Sequence, residues 1–133
     1  MDLFAIASEH AAQLPVATLT HPFGEGWDVY RVKDKVFCLL SHPETNPQRV
    51  PMVIVKALPE EGARLRERYA EITPGYHMNK VHWNSIVSGP SITPELLKDL
   101  ITDSYLAVVA ALPARLQPVD PQRHGLRQFG EGF

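Results

Sequence analysis

The stretch WDVYRVKDKVFCLLS, residues 27–41, decides the fold. Trp27, Val29 and Arg31 alternate with Asp28, Tyr30 and Val32. After Lys33-Asp34, the residues Val36, Cys38 and Leu40 alternate with Phe37 and Leu39. Alternation with period two, in β-branched and aromatic residues, predicts two strands over 27–33 and 35–41. The link between them is too short for a parallel crossover, so the pair is an antiparallel hairpin. On a continuous strand Arg31, Lys33 and Lys35 point the same way. Such a basic ridge suits either phosphate tracking or the protection of a sheet edge against aggregation.

Reading outward, residues 42–50 form a polar, proline-bearing loop, and Pro51 opens a third strand over 52–57 that ends near Lys56. The run Met52 to Val55 is apolar at every position, as expected of a strand buried on both faces. Residues 59–70 read as a helix: Pro59 suits the first turn, and Glu60 and Glu61 complement the positive helix N-terminus. Thr73-Pro74-Gly75 reads as a turn, and 81–88 as a strand with Val81, Trp83 and Val87 on one side. The longest helix spans 94–112, with Thr93 as N-cap and Pro94 in the first position. A first helix over 2–14 ends at Pro15. Helix, strands, helix, strand, helix predicts an α+β two-layer sandwich, one antiparallel sheet with helices on one face. Residues 1–116 form a single domain, and 117–133 read as a loose C-terminal tail.

The chain has 133 residues, 44% hydrophobic and 21% charged, which is the composition of an ordinary globular protein. No apolar run approaches the roughly 20 residues of a spanning helix, so no membrane is expected. The N-terminus lacks the basic region of a secretory signal. One cysteine cannot form an internal disulfide, and the expected address is cytoplasmic. The net charge is −2, but residues 31–80 hold nine basic and six acidic side chains, a local +3 against −5 elsewhere. Nucleic-acid affinity comes largely from Lys and Arg on phosphates. A whole-molecule attraction for DNA is therefore not expected, although a locally basic face is.

The stretch densest in chemistry is PGYHMNKVHWN, residues 74–84. Its five residues Tyr76, His77, Asn79, His82 and Asn84 are candidates for a polar pocket. His77 and His82 lie five apart, on opposite faces of a regular strand, with neither thiolate nor carboxylate in the stretch. No metal is expected there, and no cofactor is implied. Cys38 lies in an apolar strand and reads as an inert core thiol. Ser104, on the inner stripe of the long helix, reads as a structural hydrogen-bonding group. No phosphate-binding loop, dinucleotide fingerprint, metalloprotease motif or nucleophile elbow is present, and the protein is not expected to be an enzyme.

Taken together, the motifs THPFG at 20–24, Val29-Tyr30-Arg31-Val32 before Lys35-Val36-Phe37, Lys56 after an apolar strand, Leu65-Arg66 with Tyr69, PGYHMNKVHWN at 74–84, Ser104-Tyr105 and Leu112-Pro113 resemble the MmcQ/YjbR family over roughly residues 3–116. The family's turn before Lys35 usually carries glycine, where this chain has Lys33-Asp34. The resemblance implies a frataxin-like α/β fold and the family's DNA-binding label, which stems from likeness to a double-wing module. Two function classes follow. One is weak, non-specific DNA binding through Arg31, Lys33, Lys35, Lys56 and Lys80. The other is a protein- or small-ligand-binding module with the 74–84 stretch lining its pocket.

Overall fold

The computed structural model describes residues 1–122. Its elements, in chain order, are α1 (Leu3–Gln13), β1 (Ala17–Thr20), β2 (Trp27–Val32), β3 (Lys35–Ser41), β4 (Met52–Lys56), α2 (Pro59–Arg68), β5 (Ile72–Pro74), β6 (Trp83–Ile86) and α3 (Pro94–Ala110). The six strands make one open sheet in the order β1-β2-β3-β4-β6-β5, antiparallel throughout. The architecture is α+β in two layers, as the alternation and helical stripes predict.

The helices cover one face of the sheet. α1 buries Leu3, Ala7 and Ala11 against α3, and the side chains of Tyr30, Val32, Cys38, Leu40, Val53, Val55 and Ile86 meet them from the strands. Leu65 of α2 and Tyr69 just after it pack on the same core. Capping follows the sequence: Asp2 accepts from Ala5 N, and Thr93 from Leu96 N.

Four local readings change. β1 and β5 join the sheet as short edge strands, where the sequence reading assigns no element to residues 17–20 and a turn to Thr73-Pro74-Gly75. The last strand begins at Trp83, which leaves Val81 exposed in the preceding loop. Simple alternation also fails on β3. Tyr30 pairs with Cys38 and Arg31 with Val36, so Phe37 is an inserted residue, a β-bulge. Phe37, Cys38 and Leu40 therefore all face the helices, while Val36 and Leu39 face the other side. Finally, the start of the segment read as a loose tail is held at Gln117 and Val119: Gln117 donates to Leu112 O at 2.9 Å, and Val119 packs on the core. Residues 123–133 of the segment read as a loose tail lie outside the described residues.

The bulge is held by Ser104. Its hydroxyl donates to Phe37 O at 2.5 Å and accepts from Lys56 N at 2.8 Å. Cys38 pairs with Val55, so Phe37 O and Lys56 N are the groups that the bulge separates, and the helix supplies the missing link.

The outer face has its own apolar cluster of Val29, Leu39, Met52 and Ile54. Trp27, Val36, Trp83 and Val87 extend it, and the loop 75–82 folds over it with Tyr76 and Met78.

Candidate functional site

The loop after β5 returns across the outer face because Gly75 fits flush against β6. Gly75 N donates to Trp83 O at 2.8 Å, and a Cβ on Gly75 would stand 2.9 Å from that same oxygen. Tyr76 N then bonds Ser85 Oγ at 2.8 Å, and the Tyr76 hydroxyl donates to Thr45 O at 3.4 Å. This lays the Tyr76 ring parallel to Trp27, with centroids 6.3 Å apart. Phe23 stands edge-on to Trp27 at 79° and is 63% exposed. His77 adopts φ +61°, an uncommon backbone for a residue with a side chain, and its ring sits 4.1 Å from Tyr76. These four rings, with Val36, Leu39 and Met78, enclose a pocket of about 470 Å³.

Of the five pocket candidates, Tyr76 and His77 line this pocket, and its walls are apolar and aromatic rather than polar. Asn79 is turned onto its own loop, where Oδ1 accepts from Val81 N at 2.9 Å and His82 N at 3.3 Å. His82 is exposed in that loop. Neither His77 nor His82 lies on a strand, so the strand-face argument about their spacing does not apply. Asn84 points to the helix face, where Oδ1 accepts from Arg66 Nη1 at 2.7 Å and Nδ2 donates to Gly62 O at 3.3 Å. Among the described residues no group of three His, Cys, Asp or Glu side chains could hold a metal ion.

The cations divide differently from the expected ridge. Lys33 and Asp34 form the two-residue hairpin turn, with φ of +50° and +67°, so Lys33 is not on a strand. Arg31 pairs with Val36 and shares the outer face, whereas Lys35 pairs with Val32 and shares the helix face. A single ridge of Arg31, Lys33 and Lys35 does not exist. Arg31 is also braced, with Nε on Thr20 Oγ1 and Nη1 on Asp34 O, both at 3.2 Å. Lys56 pairs with Trp83 on the outer face. Lys80 donates to Gly75 O at 2.8 Å within the loop. Arg31 on β2 and Lys56 on β4 thus flank the start of β3 on the same face as the aromatic pocket. With strands about 4.8 Å apart, they stand roughly 10 Å from each other.

A second cavity lies on the helix side. Between α2, α3 and the ends of β4 and β6 runs a groove of about 700 Å³. No sequence motif marked it, because its walls come from segments as far apart as Val55 and Gln122. Asn84 is on its floor, and Glu61 and Asp103 are at its sides. Burial, with the charges of Asp99 and Glu61, pushes the Asp103 carboxyl up to about 6. Away from both cavities, burial raises the Cys38 thiol well beyond its ordinary range, as an inert core thiol requires. His10 Nε2 lies 2.7 Å from Thr102 Oγ1 between α1 and α3, and burial and Lys98 lower its pKa.

A sequence model of the YjbR family matches residues 12–107. YbdF of Escherichia coli O157:H7 is 39% identical over 116 residues, which is 87% of this chain and 92% of YbdF. The chain belongs to the YjbR family. YjbR of Escherichia coli K12 is 29% identical over 83 residues, 62% of this chain and 67% of that protein. Among solved structures of similar fold, DR2400 of Deinococcus radiodurans has a TM-score of 0.71 at 29% identity, covering 81% of this chain and 80% of its own. A Pseudomonas syringae protein has a TM-score of 0.61 at 28% identity, covering 72% and 90%. The YjbR match contains all seven residues of the aromatic pocket together with Arg31 and Lys56. No helix among the described residues is long and apolar enough to cross a membrane.

Proposed function

We propose that this YjbR-family protein binds single-stranded nucleic acid on the outer face of its sheet. The observation that carries the reading is that an aromatic pocket and two cations, Arg31 and Lys56, share that face. Unpaired bases stack on aromatic rings without regard to sequence, and cations track the backbone beside them. The reading has a polarity. Glu25 precedes Trp27 by two residues, and the Glu44 carboxylate lies 3.6 Å from the position of a Cβ on Gly26, so phosphates are repelled at the Trp27 end. The backbone then runs by Arg31 and Lys56, with bases directed toward Phe23, Trp27 and Tyr76. A duplex hides its base faces, and the basic hairpin ridge that would have gripped its phosphates is split between two sheet faces.

Recognition without catalysis is proposed. Ser104 is committed to two backbone groups and Cys38 is enclosed, so neither supplies a nucleophile. With a net charge of −2, binding is expected to be weak and to fall steeply with salt. The test is a fluorescence-anisotropy titration with labelled oligo(dT) and a duplex of equal length, at low and physiological salt. Oligo(dT) should bind more tightly than the duplex. Affinity should drop by about fivefold or more in Phe23→Ala, from one lost stacking contact, and the salt dependence should flatten in Arg31→Gln/Lys56→Gln. No binding at low salt, a preference for the duplex, or indifference to these variants would refute the proposal.

A further inference from the structure

The groove on the helix side carries a second assignment, independent of the outer face. We propose that it binds a small apolar molecule bearing a protonated amine.

The shape comes first. A cleft of about 700 Å³ is of the size that encloses a small ligand. Its floor and walls include Leu65, Ile72, Ile86, Leu100 and Leu106, which supply the apolar surface that a hydrocarbon body would cover.

The charges decide the class of ligand. Glu61 reaches the groove from α2 and Asp103 from α3. Glu61 already pairs with Arg64, Oε1 to Nη1 at 3.0 Å, on the exposed side of α2. Among the described residues no Lys, Arg or His lies within ion-pair distance of Asp103; its charged neighbours are Asp99 and Glu61, both acidic. Two nearby cations are otherwise engaged. Lys56 borders the groove, but its register places the side chain on the outer face beside Trp83. Arg66 is bound to the Asn84 side chain. An ammonium group at Asp103 would therefore relieve a crowd of like charges, while a carboxylate or phosphate there would add to it. Burial in the groove wall, and after it the charges of Asp99 and Glu61, make the Asp103 carboxylate costly to hold unpaired. Asn84 spends Oδ1 on Arg66 and Nδ2 on Gly62 O, so its amide oxygen is already engaged and the carboxylates supply the attraction for an ammonium group.

The experiment is an NMR titration of the full-length, isotope-labelled protein at pH 7.5 with 2-phenylethylamine, against 3-phenyl-1-propanol and 3-phenylpropionate. The amine should shift the Asn84 side-chain amide and the Ile86 and Leu106 signals, and leave the Trp27 indole in place. The alcohol should bind about tenfold more weakly, and the carboxylate more weakly still. Asp103→Asn, which removes the charge at nearly constant size, should erase the preference for the amine over the alcohol, with an unchanged backbone amide spectrum as the sign that the fold is kept. Equal binding of all three compounds, no binding of the amine, a charge preference that survives Asp103→Asn, or shifts confined to the outer face would each overturn the assignment. Because the readouts lie on opposite sides of the sheet, failure here is distinguishable from failure of the nucleic-acid reading.

Discussion

Replacing Ser104 by alanine removes one hydroxyl from the interior and leaves two backbone groups without their partner. Ser104 is fully buried, its Oγ donates to Phe37 O, and it accepts from Lys56 N. Phe37 is likewise fully buried and is the inserted residue of the bulge, so its carbonyl has no ladder partner across β4. Each buried backbone group left unpaired costs about 1–3 kcal/mol. Alanine is the better helix former by about 0.5 kcal/mol, which offsets a little of that. The expected loss is roughly 1.5–5.5 kcal/mol, a large part of the stability of a domain of this size. Urea unfolding followed by circular dichroism measures it, with an unchanged m-value as the sign that only stability has moved. Ser104→Thr, which keeps the hydroxyl, should recover part of the loss if its added methyl is accommodated. A loss below about 0.5 kcal/mol, the scale of a neutral surface change, would mean that the bulge holds without Ser104 and that this reasoning is wrong.

Asp34→Gly should stabilise the protein by about 0.5–1 kcal/mol, since both turn residues have positive φ and glycine adopts it without strain; a decrease in the urea midpoint would contradict the turn assignment. Ala7→Leu should destabilise by about 1–3 kcal/mol, because Ala7 is fully buried where α1 meets α3 and the added carbons have no space; chemical denaturation checks it. Asp103 is harder to ionise in the fold, at about 6, than in the unfolded chain, at 3.8, so its contribution to stability is full below pH 3.8 and is lost as pH rises through about 6. Asp103→Asn should therefore melt higher than wild type at pH 7.5, with the gap closing as pH falls from about 6 toward 3.8; thermal melts across that range test the sign.

The two-layer fold is legible where the pattern has a clear period. The hairpin, the apolar run of β4 and the Thr93-Pro94 helix start all appear in the sequence with nearly the right bounds. The bulge is not legible, because Val36 through Leu40 are apolar at every position and an inserted residue leaves no polar mark. β1 and β5 escape notice because they are short edge strands, one with exposed threonine and leucine and the other ending in Pro74. The candidate cations depended on that register. Once Phe37 is inserted and Lys33-Asp34 is a turn of left-handed residues, Arg31 and Lys35 fall on opposite faces. Tyr76 and His77 were visible as members of a dense stretch. Phe23, Trp27 and Met78 were not visible as their companions, since only the return of the loop over the outer face brings them together.

The most direct test of the account is whether a base stacks on Trp27. In a Trp83→Phe protein, Trp27 is the sole tryptophan, and its fluorescence reports the pocket alone. Oligo(dT) added at low salt should quench that fluorescence saturably, the quenching should vanish on raising salt, and a matched duplex should produce little of it. If anisotropy reports bound oligo(dT) while Trp27 fluorescence stays constant, or if neither signal moves at low salt, the outer face is not a nucleic-acid site.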